Sequence, residues 1–363
     1  MFSRRGLLAL GALLAAGCRF GESGARSGEE SEAGGAGAKL ISLNGAGATF
    51  PYPLYSKWVA EYNRLNPGVR INYQSIGSGG GIRQIVAGTV DFGASDAPIR
   101  GDEAKGASGK LTHLPMTIGA VAVSYNLRGL SAPLKLSSHA LCGIFLGEIR
   151  KWNDDRIART NPGAQLPDRD ILVVFRTDGS GTTAVFSEYL ASISPAFKDK
   201  VGIGKSLKWP VGLGAKGNEG VTGQLKTAPG AIGYIELAYA TQNKLRSAHI
   251  ENKAGRFVAP TVEGATAAAA GVAMPDQLHV SLAGSESEAA YPLASYSYLL
   301  VYDDARDISK GQALARFVWW AVHDGQKYAK DLDYAPLPSQ VVSKVEGKLK
   351  ELHSGGKRLL DGA

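Results

Sequence analysis

Three short polar segments of this chain combine glycine with hydroxyl residues: Gly45-Ala-Gly-Ala-Thr49-Phe50-Pro51, Gly77-Ser78-Gly79-Gly80-Gly81 and Arg176-Thr-Asp178-Gly-Ser180-Gly181-Thr182-Thr183. Each stands before a run of helically spaced apolar residues and so reads as a loop that opens a helix. The first N–H groups of a helix lack intrahelical acceptors and carry the positive end of its dipole, and glycine lets an anion reach them. One such loop is a weak signal. Together the segments bring the hydroxyls of Thr49, Ser78, Ser180 and Thr182 and one guanidinium, Arg176, which as a set suit a cage for a tetrahedral oxyanion. A fourth segment, Phe92-Gly-Ala-Ser95-Asp96-Ala-Pro98, adds the carboxylate of Asp96, a charge of the wrong sign for such a cage.

Taken singly, every one of these residues has a plainer reading. Thr49 or Ser78 can be a helix cap, Gly77–Gly81 a turn, Asp96 a cap near Pro98, and Arg176 with Asp178 a structural ion pair. It is their joint presence that points to a site. Other chemistries fit less well. A nucleotide-binding P-loop needs a Lys before the last hydroxyl of its glycine loop, and Gly179-Ser-Gly-Thr-Thr183 has none. A dinucleotide loop needs a third small residue where Phe50 stands, and a hydrolase elbow needs glycine where Asp178 stands. The six histidines are scattered without metal-ligand spacing. No catalytic residue, metal or cofactor is expected.

The elements that must hold these loops are legible from periodicity. Leu54, Trp58, Val59, Tyr62 and Leu65 have helical spacing between Pro51 and Asn66-Pro67-Gly68, and Val69, Ile71 and Tyr73 alternate as a strand. A short helix is expected over Ile82–Val86, and strands over 90–94 and 171–175. Further helices follow around Val185–Ile193, Leu314–Ala321 and Val341–Leu352. Strand, glycine loop and helix thus repeat, which is the pattern of an α/β fold that binds ligands at the C-terminal ends of its strands.

The N-terminus has a different character. Arg4-Arg5 precede an apolar run of about ten residues and then Gly17-Cys18. A membrane span needs about 20, so residues 1–17 read as a lipoprotein signal peptide and Cys18 as the lipidated residue, with general and twin-arginine export both open. Residues 18–38 have the composition of a flexible tether. The formal charge of +7 becomes +5 without Arg4 and Arg5, and its Lys and Arg are spread without a basic stripe, which argues against nucleic acid. Cys142, among Leu141, Ile144 and Phe145, reads as a buried free thiol.

The quoted segments, with Lys216-Gly-Asn-Glu-Gly220, Pro229-Gly-Ala-Ile-Gly-Tyr234 and Leu332-Asp-Tyr-Ala-Pro-Leu-Pro338, make the chain resemble the substrate-binding proteins of phosphate-specific ABC importers. The resemblance runs from about Leu43 to Leu352. It implies a type II periplasmic-binding-protein fold of two α/β lobes joined by a two-strand hinge: 39–117 and 291–363 in the first lobe, 118–290 in the second. It further implies phosphate contacts from Thr49, Phe50, Ser78, Asp96, Arg176, Ser180, Gly181 and Thr182, with Asp178 holding the arginine. On this reading the protein is a monomeric, exported, lipid-anchored, non-enzymatic carrier that passes inorganic phosphate to the transmembrane subunits of an ABC permease. Asp96 then has a use, because phosphate near neutral pH carries a proton that a carboxylate can accept, whereas sulfate carries none. A phosphatase-like enzyme, a carrier of sulfate or molybdate, and an added adhesion or signalling role are the alternatives.

Overall fold

The computed structural model describes residues 40–283 and 285–360. The signal peptide, the tether and Cys18 lie outside them. The parts that position the site are eight strands of one sheet and seven helices.

In chain order these are β1 (Ile41–Gly47), α1 (Tyr52–Leu65), β2 (Val69–Ser75), α2 (Ser78–Val86), β3 (Phe92–Ser95) and β4 (Leu111–Tyr125). Then come β5 (Leu172–Arg176), α3 (Gly181–Ile193), β6 (Leu213–Ala215), α4 (Gly217–Thr227), β7 (Ala231–Glu236) and α5 (Leu237–Gln242). Last are β8 (Ala294–Tyr302), α6 (Ile308–Val322) and α7 (Ser339–Glu351). The sheet order is β2-β1-β3-β8-β4-β7-β5-β6.

The long strand β4 organises this order. Its first part, Leu111–Ala120, pairs antiparallel with β8, and its last part, Val121–Tyr125, pairs antiparallel with β7. On one side β8 leads to β3 and the parallel pairs β3–β1 and β1–β2; on the other, β7 leads to the parallel pairs β7–β5 and β5–β6. Every loop singled out in the sequence therefore leaves the C-terminal end of a parallel strand, where an open α/β sheet binds its ligands. From Thr112 to Tyr125, β4 is buried without a break, as befits a strand covered on both faces.

Helical runs appear where the apolar spacing places them, and α1 keeps Leu54, Tyr55, Trp58 and Tyr62 inside. Two local expectations need correction. Gly45–Gly47 is not loop but the end of β1, paired with Tyr73–Ser75 of β2. The strand expected over 90–94 begins at Phe92, because Asp91 is held in the approach to it: its N–H donates to Asn44 O, and its carboxylate accepts Asn44 N–H and Lys310 Nζ. Cys142 is free and buried, and burial pushes its thiol up to about 12, which leaves it unreactive near neutral pH.

Candidate functional site

The four loops meet. Gly181 N–H donates to Ser78 Oγ at 3.0 Å, and Gly79 N–H donates to Gly179 O at 2.8 Å, so the N-termini of α2 and α3 touch although about a hundred residues separate them. Only glycine allows this approach. A Cβ on Gly79 would lie 3.0 Å from the Gly179 Cα, and one on Gly181 would overlap Asp96 Oδ2 and Ser78 Oγ.

Arg176, at the end of β5, is 3% exposed. Its Nε and Nη2 donate to Asp178 Oδ1 and Oδ2 at 2.8 and 2.5 Å, and its Nη1 donates to Thr182 Oγ1 at 3.3 Å. Burial pushes the Asp178 carboxyl up, but the guanidinium and the Gly217 N–H outweigh it and hold that acid below its usual range. The fork thus keeps one edge on Asp178 and turns the other toward the helix N-termini, with the carboxylate fixing its plane.

The hydroxyls share one arrangement. Thr49 Oγ1 accepts Asn218 Nδ2 at 2.7 Å, Thr182 Oγ1 accepts Arg176, and Ser180 Oγ accepts Thr183 N–H at 3.0 Å as the cap of α3. Ser78 Oγ accepts Gly181 N–H. In every case the oxygen is occupied by an N–H donor, which leaves the hydroxyl hydrogen to be given away; that of Ser78 already goes to Asp96 Oδ2. Ser180 is therefore both a helix cap and a potential donor. Phe50 contributes main chain: its ring is buried and its carbonyl accepts Tyr334 O–H at 2.6 Å.

Asp96 is 2% exposed at the end of β3. Its Oδ1 accepts Ser297 O–H at 2.8 Å, and its Oδ2 accepts Ser78 O–H at 3.3 Å. Burial pushes its carboxyl up to about 7, against the downward pull of Ser297, Arg176, Ser78 and Lys205. A carboxyl raised by folding stabilises the fold when protonated. Its contribution is complete below about pH 4 and is lost as pH rises through about 7. In phosphate-free buffer above neutrality the ionised acid should cost roughly 4 kcal/mol. Asp96→Asn should accordingly unfold at higher urea than the wild type near pH 8, with the gap closing near pH 4. A gap that does not change with pH would refute burial as the cause.

Behind the hydroxyls lie residues to which the sequence reading assigned no role. Asn218, in the Lys216–Gly220 segment, ties Thr49 to Thr182 and accepts Glu236 N–H on Oδ1. Tyr334 O lies 2.6 Å from Phe50 O and 3.0 Å from Glu236 Oε2, and its single hydrogen serves one of them. Glu236 Oε2 also accepts Ala238 N–H, and burial holds this carboxyl well above its usual range. Lys205 Nζ, nearly buried, donates to Pro98 O and Glu103 Oε2, and its carbonyl accepts Ser180 N–H. A lone acid ending the apolar run Ala231–Ile235 was the visible signal for Glu236. Lys205 had none. Among the described residues no group of three or more His, Cys, Asp or Glu is placed to hold a metal.

The cluster of helix N-termini, buried guanidinium, outward-facing hydroxyls and one acid can surround a small oxyanion that carries a proton. Comparison with known proteins agrees with this chemistry. A PBP superfamily domain matches residues 26–323. The phosphate-binding protein PstS of Pasteurella multocida (strain Pm70) is 45% identical over 312 residues, covering 85% of this chain and 90% of that protein. The PstS of Xylella fastidiosa (strain 9a5c) is 44% identical over 311 residues, with 85% of each covered. The solved phosphate-binding protein of Stenotrophomonas maltophilia superposes with a TM-score of 0.64 at 17% identity, over 85% of this chain and 93% of that one. This last likeness concerns the fold, which is the α/β, type II periplasmic-binding-protein fold.

Proposed function

This chain belongs to the PBP superfamily, among its PstS phosphate-binding proteins, and on that premise we propose that it binds inorganic phosphate outside the cytoplasmic membrane for import by an ABC permease. The contacts assigned to the anion are Thr49, Phe50, Ser78, Asp96, Arg176, Ser180, Gly181 and Thr182, with Asp178 orienting the arginine. The observation that carries this assignment is the hydroxyl arrangement: oxygens occupied by N–H donors, the hydrogens of Thr49, Ser180 and Thr182 left for a guest, and the buried Asp96 among them, held by Ser297 and Ser78. Removing phosphate from water is costly unless its oxygens are hydrogen-bonded and its charge offset. The helix N-termini and Arg176 supply donors and charge; Asp96 Oδ2 accepts the P–OH hydrogen.

In this reading 39–117 with 291–363 and 118–290 are lobes that close on the anion, with the chain crossing near Thr117 and Tyr291. Contacts made only when both lobes face the ligand shift the population toward closure. Attachment through a lipidated Cys18, a monomeric state and the absence of turnover complete the proposal.

Calorimetry on ligand-stripped protein tests it. Phosphate should bind with micromolar affinity or tighter, about 8 kcal/mol or more, and sulfate far more weakly. Asp96→Asn should narrow that difference by at least about tenfold, because an amide no longer repels an unprotonated anion. Sulfate discrimination that survives the substitution would remove Asp96 from this role. Release of a chromogenic alcohol from a phosphate ester would favour the enzymatic alternative.

A further inference from the structure

Two serines on β8 surround Asp96 without being among the proposed ligand contacts. Ser297 O–H donates to Asp96 Oδ1 at 2.8 Å, and Ser295 Oγ lies 3.0 Å from the Asp96 carbonyl oxygen. Ser297 is fully buried between Tyr296 and Tyr298, where a hydroxyl costs stability unless it is hydrogen-bonded. The backbone bends to place it. The β4–β8 register shifts between Ser297, which faces Thr117, and Tyr298, which faces Pro115, so Met116 is an extra residue on β4. Such a bulge re-aims neighbouring side chains, and Pro115 has no N–H to offer a regular ladder. On the other side of β8, β3 ends with Ser95 opposite Tyr298, which brings Asp96 out beside Ser297.

With Oδ1 engaged by Ser297, Oδ2 is the oxygen turned toward Ser78 and Gly181. We propose that Ser297 is a specificity-positioning residue of the anion site: by donating to Oδ1 its hydroxyl favours the ionised form of Asp96 and leaves Oδ2, shared with the Ser78 hydroxyl alone, to take a hydrogen bond from the ligand instead of giving one. The inference rests on the phosphate reading above and deepens it. A protonated Asp96 would donate to any oxyanion, sulfate included, and the discrimination would vanish. A hydrogen bond to the charged form of an acid favours that form, and this is what the Ser297 hydroxyl provides.

The other groups around Asp96 leave this task to few partners. Arg176 and Lys205 also favour the carboxylate. Tyr55, Tyr73, Tyr298 and Tyr334 are phenols that burial pushes above their usual range, and burial likewise holds the Glu236 carboxyl well above its own. Glu188 and His279 share with Asp96 a cavity of about 180 Å³, and burial drives both toward their neutral forms. The nearby His113 is pushed down to about 4. In the structure none of these groups donates to Oδ1, which Ser297 alone among the described residues does.

The test measures phosphate and sulfate binding by calorimetry between about pH 5 and 9 for the full chain, Ser297→Ala and Ser297→Cys. In Ser297→Ala the pH at which the preference for phosphate is halved should rise by about one unit, with sulfate binding about tenfold tighter near pH 9 and less than about twofold tighter near neutrality. Cysteine, of similar size but a weak donor, should move the profile the same way, and it is read by the same criterion if the alanine variant does not fold. A pH profile identical to the wild type, or equal weakening of both anions at every pH, overturns the proposal, since a merely structural serine would give one or the other. Wild-type protein that ignores phosphate would instead defeat the reading on which the proposal stands.

Discussion

Arg176→Ala should weaken phosphate binding by about thirtyfold to several thousandfold and weaken the fold as well. The guanidinium bonds both to Asp178 and toward the helix N-termini, and its side chain is 1% exposed. Truncating one member of a buried, hydrogen-bonded charge pair costs about 2–5 kcal/mol in binding, a factor of roughly thirty to several thousand. The same truncation leaves Asp178 buried and unpaired, which costs stability of comparable size. Thermal unfolding separates the two effects. Phosphate at a thousand times the wild-type dissociation constant should stabilise the wild type by about 4 kcal/mol and Arg176→Ala by about 2 kcal/mol or less. Arg176→Lys should recover less than the retained charge suggests, because an ammonium cannot hold Asp178 with two parallel bonds and still present donors to the anion. Phosphate-dependent stabilisation of Arg176→Ala at the wild-type level would remove the arginine from the site.

Gly181→Ala should separate binding from folding. Its new methyl would overlap Asp96 Oδ2 and Ser78 Oγ, the two groups that close the site opposite Arg176. Relief requires moving α3 away from α2, which breaks the Gly181–Ser78 hydrogen bond and widens the cage. A displacement of about 1 Å in a preorganised site can cost on the order of a hundredfold, and a loss of that size is expected in phosphate affinity. The helix itself favours alanine over glycine. Ligand-free Gly181→Ala should therefore unfold within about 1 kcal/mol of the wild type while binding collapses. Unchanged affinity would mean that the two loops need not meet to hold the ligand.

Much of this could be read along the chain, because the information is local. Helical spacing marks α1, α6 and α7; glycine and hydroxyl residues mark the starts of α2 and α3. The anion chemistry follows from the kinds of residue at those starts, and the resemblance to phosphate carriers rests on the same short segments. What the spacing could not supply is which atoms face one another. Ser78 meets Gly181 across 103 positions, Asp96 meets Ser297 across 201, and Phe50 meets Tyr334 across 284. Those meetings are decided by sheet order, by β4 changing partners midway, and by the bulge at Met116. Serine at 295 or 297 looks like any small polar residue in a strand, and Glu236 like any acid at a strand end. Only packing in three dimensions buries them and assigns each hydrogen to a particular oxygen. Local propensity therefore determined which segments could meet an anion, and long-range contact determined which of their atoms face one another.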